Sequence, residues 1–168
     1  DTTAPVITLA GDAGVTHEAG TTYADAGATA SDDVDGDITD SIQTVNPVDV
    51  NSSVVYTLTY NVSDSSGNTA AEVTRTVTVV DTTPPVISLT GDAAVTVEAG
   101  STYTDVGATA VDTLEGDLSD ALQVVSTVKA NKPGSYTVSF DVDDAAGNSA
   151  TTVNRTVTVV DTTAPTLV

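Results

Sequence analysis

Apolar and polar residues alternate with a period of two through much of this chain. The clearest run is Tyr56-Thr57-Leu58-Thr59-Tyr60-Asn61-Val62, and its like returns as Tyr136-Thr137-Val138-Ser139-Phe140-Asp141-Val142. Successive side chains of a strand point to opposite faces, so these runs predict strands that turn the Tyr, Leu, Phe and Val positions inward. Tight turns are predicted at Ser65-Ser66-Gly67-Asn68 and Ala145-Ala146-Gly147-Asn148, and strands at 76–80 and 156–160 complete two hairpins. Upstream, residues 86–89 read as a first strand, 95–97 as its continuation, and 107–110 and 122–125 as two more. No segment carries the 3.6-residue period, and Thr and Val form helix poorly, so helix is nearly excluded.

The pattern occurs twice because the sequence does. Displaced by 80 residues without a gap, the chain is identical to itself at 44 of 80 positions. The opening Asp1-Thr2-Thr3-Ala4-Pro5 returns as Asp81-Thr82-Thr83-Pro84-Pro85 and again as Asp161-Thr162-Thr163-Ala164-Pro165. Two repeats follow, 1–80 and 81–160, with 161–168 as a linker opening a third, so a longer array is expected. About seven short strands in each repeat predict an all-β chain of two sandwiches of antiparallel sheets.

Composition narrows the chemistry. The 168 residues include 24 acidic and 4 basic side chains, a formal charge of -20, with no Cys, no Trp and one His. A phosphate-tracking surface needs clustered Lys and Arg, so nucleic acid is not an expected partner. No apolar run approaches the roughly 20 residues of a membrane span, so no membrane insertion of this segment is expected. Without Cys there are no disulfides and no thiol chemistry. One Phe and five Tyr leave a thin core, and domains of this size usually need a staple that here is not a disulfide.

The residues Asp81-Thr82-Thr83-Pro84-Pro85-Val86-Ile87, Glu98-Ala99-Gly100-Ser101-Thr102-Tyr103, Glu115-Gly116-Asp117, Tyr136-Thr137-Val138 and Asp144-Ala145-Ala146-Gly147-Asn148 resemble the bacterial immunoglobulin-like tandem repeats of large secreted and cell-surface proteins. The closing hairpin is also similar to that of HYR and PKD modules. The resemblance covers both repeats. It implies two tandem immunoglobulin-like antiparallel β-sandwich domains in an extracellular array, of the kind found in adhesins and secreted polysaccharide-degrading enzymes. It does not imply catalysis.

The acids are clustered. Asp32, Asp33, Asp35 and Asp37 share one loop, and Asp112, Glu115 and Asp117 keep the same offsets where Thr113 and Leu114 replace Asp33 and Val34. Asp64 and Asp144 stand before the Gly-Asn turns of Asn68 and Asn148, and Asp1 and Asp81 open the repeats. In an immunoglobulin-like strand order these three segments meet at the N-terminal pole of each sandwich. Glu18 falls at the opposite pole, facing the linker and the next repeat, an arrangement similar to cadherin junctions. Crowded carboxylates repel unless a cation compensates, and an all-oxygen donor set fits Ca²⁺ better than Mg²⁺ or Zn²⁺. Asp1, Glu18, Asp32, Asp35, Asp37, Asp64, Asn68, Asp81, Asp112, Glu115, Asp117, Asp144 and Asn148 are therefore the expected ligands, and Ca²⁺ the expected staple. The bland alternative is a solvated acidic surface.

Other candidates carry less. His17 replaces Val97 on a strand face and reads as a tolerated, partly buried ring. Arg75 and Arg155, in register with core valines, read as paired with a nearby carboxylate or turned outward at a bulge. Lys129 and Lys132 have no counterpart in the first repeat, which argues against a repeat-wide isopeptide crosslink. Asp35 and Asp37 lack an aromatic cleft that would make them a glycosidase pair, so no enzyme is expected. The expected function is a calcium-stiffened extender of a surface adhesin or large secreted protein, monomeric because its charge opposes self-association. Its partners are the neighbouring repeats and a cell-surface or polysaccharide ligand. The alternative is an accessory carbohydrate-binding or spacer module of a secreted hydrolase.

Overall fold

The computed structural model describes residues 1–165. The end of the expected third-repeat opening, 166–168, lies outside the described residues. The chain divides into two compact units, Asp1–Asp81 and Thr82–Val168, so Asp81 goes with the first. Unit 1 holds β1 (Val6–Leu9), β2 (Gly14–Glu18), β3 (Ala28–Asp32), β4 (Gly36–Asp37), β5 (Gln43–Val45), β6 (Val55–Asn61) and β7 (Val73–Val80). Unit 2 repeats them as β8 (Val86–Leu89), β9 (Ala94–Glu98), β10 (Ala108–Asp112), β11 (Gly116–Asp117), β12 (Gln123–Ser126), β13 (Gly134–Asp141) and β14 (Val153–Val160). The helix among the described residues is two single 3₁₀ turns, Thr39–Ser41 and Ser119–Ala121.

Each unit has a three-stranded sheet, β1-β3-β4 or β8-β10-β11, and a four-stranded one, β2-β7-β6-β5 or β9-β14-β13-β12. The expected continuous first strand is divided between them. β1 pairs antiparallel with β3, whereas β2 pairs parallel with β7, Gly14 beside Thr76 through Glu18 beside Val80. The sheets are thus antiparallel except at that edge. The break falls at Gly11, whose φ of 78° is the left-handed conformation that glycine takes without a Cβ clash.

Inward positions of β6 and β7 supply the first core: Leu58, Tyr60, Val77 and Val79 are buried, joined by Ile7, Ala30 and Val62. Val138, Phe140, Val157, Ile87 and Ala110 do the same in unit 2. Tyr56 and Tyr136, expected in the core, are only half-buried because they lie toward the start of their strands, and the Tyr136 hydroxyl donates to the Lys132 carbonyl instead.

The largest buried side chains are Arg75 and Arg155, with 1% and 0% of their surface exposed. Alternation turns both inward between valines, and the guanidinium of Arg75 is then engaged through all five of its N–H donors. Arg75 pairs with Asp25, donates from Nε to the Asp12 carbonyl (2.9 Å), and from its terminal nitrogens to the Ala10 and Gly27 carbonyls and the Tyr60 hydroxyl. Asp25 also accepts from Tyr60 Oη (2.7 Å) and the Gly27 amide (3.0 Å). Arg155 repeats the pattern with Asp105, Asp92, Thr90 and Gly107, but Phe140 stands where Tyr60 would add its hydroxyl. A buried ion pair is stable only when its remaining donors and acceptors are satisfied, as they are around Arg75 and, for four of five donors, around Arg155. This internal pair is a staple in its own right. Truncating one partner strands the other charge, so Arg75→Met or Asp25→Asn is expected to cost about 3–5 kcal/mol by chemical denaturation. A loss under about 1 kcal/mol would show the pair to be incidental.

Burial pushes the Asp25 carboxyl up, but the Tyr60 hydroxyl and Arg75 outweigh it and hold it below its usual 3.8. Burial and Asp25 push Tyr60 up to about 12. A depressed acid contributes stability that is complete above its unfolded pKa and is lost as pH falls through the folded one. A raised phenol contributes stability that is complete below 10 and is lost as pH rises through about 12. Denaturation across pH should therefore show a plateau that falls in acid below about 4 and in strong alkali. Tyr60→Phe should remove the part of the alkaline loss that belongs to Tyr60.

Candidate metal centre

The acidic loop is built by one glycine. Gly36 and Gly116, with φ of 73° and 79°, reverse the chain so that Asp32 pairs with Gly36 and Asp112 with Gly116 across a two-residue ladder. The carboxylate before the turn then folds onto the turn's amides. Asp32 Oδ1 accepts from Val34 N (2.9 Å) and Asp35 N (3.0 Å), and Asp112 Oδ1 from Leu114 N (2.7 Å) and Glu115 N (3.1 Å). The Asp35 and Val34 amides keep Asp32 below the usual carboxylate range although the Asp64 charge works against them. Burial raises Asp112, yet the amides of Leu114 and Glu115 outweigh it and hold it low as well.

One oxygen of each remains. Asp32 Oδ2 and Asp112 Oδ2 are buried atoms with no hydrogen-bond partner, and Asp112 as a whole is only 4% exposed. An ionised carboxylate oxygen removed from water and left unpaired is costly. In unit 1 the oxygens of Asp1, Asp32 and Asp33 lie within 4.8 Å of one another. Asn68 Nδ2 reaches the Asp1 carbonyl (3.4 Å), and Asp35 accepts from the amide (2.7 Å) and hydroxyl (2.9 Å) of Ser65. The opening segment, the acidic loop and the closing hairpin thus meet at one pole of the first sandwich. In unit 2 Glu115 accepts from Ala145 N (3.2 Å), which carries the loop to the same hairpin beside Asp144. Asp81 is by the register of the repeat the counterpart of Asp1. The donor set is oxygen only, and its orphaned buried oxygens fit a hard cation.

Several expected ligands also carry local hydrogen bonds. Asp37 and Asp117 accept from Thr39 N (3.0 Å) and Ser119 N (2.9 Å), the first amides of the 3₁₀ turns, because the carboxylate sits two residues before them. Asp64 and Asp144 bind the amide and side chain of Asn68 and Asn148, holding the hairpin turns. Glu18 lies on β2 beside Val80, at the end where the chain leaves the first sandwich. Its counterpart Glu98 accepts from Thr162 N (2.7 Å), Thr162 Oγ1 (2.8 Å) and Thr163 Oγ1 (3.0 Å), so this carboxylate fastens the outgoing segment. The Thr162 bonds hold Glu98 below its ordinary pKa. His17 is half-buried, bonded to Thr21 and edge-on to Tyr23 at 5.1 Å.

Three functional residues escaped the sequence reading. Asp33 lies with Asp1 and Asp32 in unit 1, although Thr113 stands at its place in unit 2. Asp25 and Asp105 were missed although the signal was present: Tyr23, Asp25 and Gly27 recur as Tyr103, Asp105 and Gly107, while the residues between them differ.

Comparison with known proteins agrees with this architecture. The family of the bacterial surface protein, Ig-like domain, matches residues 7–79 and 87–159. The pesticidal crystal protein Cry22Aa of Bacillus thuringiensis is 36% identical over 136 residues, 77% of this chain and 18% of its own length. Hyalin of Strongylocentrotus purpuratus is 36% identical over 118 residues, 66% of this chain and 10% of its own. The chain therefore spans a fifth or less of either relative. Among solved structures, the M60 catalytic domain with CBM51-1 and CBM51-2 from Clostridium perfringens ZmpB aligns with a TM-score of 0.53 at 12% identity, over 94% of this chain and 31% of that one, a likeness of fold alone. With the family pattern complete in both repeats, in the order the strands require, the chain belongs to the bacterial surface protein Ig-like domain family.

Proposed function

We propose that the two repeats are calcium-binding extender modules of a secreted or surface-exposed bacterial protein, structural and not catalytic. The observation that carries this reading is Asp112 Oδ2, a buried carboxylate oxygen with no partner inside an acidic loop. An ion at this pole neutralises the loop and ties the segment leading into each sandwich to the sandwich itself, which stiffens an array. Family membership and the tandem repeat support the surface location and the spacer role. The carbohydrate-binding reading has less support. Sugar-stacking platforms need exposed rings, and all six aromatic residues are buried or half-buried.

Extracellular modules bind Ca²⁺ with Kd of roughly 10⁻⁴ to 10⁻³ M, so about 10 mM ion is worth about 1.4–2.7 kcal/mol per site. Calcium is therefore expected to raise Tm by at least about 5 °C over EDTA, with heat on titration and a smaller response to magnesium. Asp112→Asn should abolish the response of the second repeat. Amide exchange at Asp81, Thr82 and Thr83 should slow with calcium. No titration heat together with identical melting in EDTA would reject the proposal.

A further inference from the structure

The buried arginines occupy a particular place in the connectivity. Each belongs to the last strand of its repeat, yet its carbonyl acceptors lie in the short crossing that carries the chain from the three-stranded to the four-stranded sheet. Arg75 on β7 holds Ala10 and Asp12, between β1 and β2, and Arg155 on β14 holds Thr90 and Asp92, between β8 and β9. Immediately after each crossing comes the parallel ladder. Five pairs join β2 to β7 and five join β9 to β14.

These positions matter when the chain is pulled. Tension between the ends of a repeat drags β1 and β2 backward and β7 forward. Because β2 and β7 are parallel neighbours, that tension runs along the strands and loads all five pairs together instead of one after another. β1 is held separately, through four pairs with β3. If β1 slips, its release must pass through Ala10 and Asp12 before it reaches β2. Those are the carbonyls that the guanidinium grips, and the guanidinium is itself anchored to Asp25 from a third segment. Its hydrogen bonds are charge-assisted and shielded from water, so they rank among the strongest in the sandwich.

We propose that Arg75 and Arg155 are mechanical latches, which make each repeat a load-bearing element that resists end-to-end extension by shear. The proposal takes the direction of load from the extender reading; the resistance itself needs no calcium and is a property of each sandwich.

Single-molecule pulling tests it on the full chain, and the absence of cysteine makes introduced handles unique. Thr2→Cys with Thr163→Cys loads the ends and should give two unfolding events, one per repeat. Ser53→Cys with Thr82→Cys instead pulls the start of β6 from the end of β7, which are adjacent, and peels their ladder pair by pair. The end-to-end force should exceed the peeling force about fivefold, since five pairs are loaded against one. Arg155→Lys keeps a charge for Asp105 but cannot fork to two carbonyls. One of the two end-to-end events should then occur about tenfold faster at a given force while the other is unchanged, the factor for one charge-assisted bond lost from the barrier. Equal forces in the two geometries, or two unaltered events in the Arg155→Lys chain, would overturn the proposal. If that variant repeat fails to fold, a single event remains, and Asp105→Asn, which removes the charged anchor of the guanidinium, must speed the second repeat's event in its place or the proposal falls. Repeating the measurement in EDTA separates this proposal from the calcium reading. A force contrast that survives chelation supports the latch whatever calcium does, and a contrast that vanishes in EDTA overturns it.

Discussion

A guanidinium buried between two sheets sets the terms for the rest of each repeat. Arg75 and Arg155 stand where alternation calls for a valine, and neither could remain there without Asp25 or Asp105 and a set of backbone carbonyls to receive its protons. That requirement fixes where the first strand must break, because the carbonyls of Ala10 and Asp12, or of Thr90 and Asp92, have to turn toward the guanidinium. It also explains how a sandwich with few aromatic side chains and no disulfide is held. The core is thin in hydrocarbon and compensates with one densely hydrogen-bonded polar cluster that touches three separate segments.

The acidic character of the chain is organised by the same economy. Most carboxylates near the N-terminal pole of each sandwich are folded onto nearby amides: Asp32 and Asp112 onto their own turns, Asp37 and Asp117 onto the 3₁₀ turns, Asp64 and Asp144 onto the closing hairpin. Such bonds keep acids ionised and positioned. They also concentrate negative charge where it is hardest to solvate, and Asp32 Oδ2 and Asp112 Oδ2 are what remains unmatched. An acidic surface that served only solubility would place its oxygens in water.

Much of the fold was legible because period-two alternation, turn residues and an 80-residue repeat act locally and reinforce one another. The inward faces of Leu58, Tyr60 and Val62 followed from alternation alone, and so did the inward direction of Arg75, whose pairing with a carboxylate was one of the two readings open to it. The parallel edge was not legible. Whether residues 14–18 continue the first strand or cross to the other sheet depends on a contact with β7 more than fifty residues away, and local pattern carries no such information. Asp25 went unread for a related reason, since a single acid outside a cluster gains meaning only once Arg75 is known to face it. The convergence of three acidic segments could be argued from strand direction. The division of labour among their carboxylates depended on which amides stood two residues downstream.

Calcium at the acidic pole is the central claim, and it is tested most directly by a crystal of this chain grown in calcium and measured at a wavelength that gives calcium anomalous signal. The account predicts anomalous peaks in contact with Asp32 Oδ2 in the first repeat and Asp112 Oδ2 in the second. Well-ordered water at both oxygens, with no anomalous density, would contradict it.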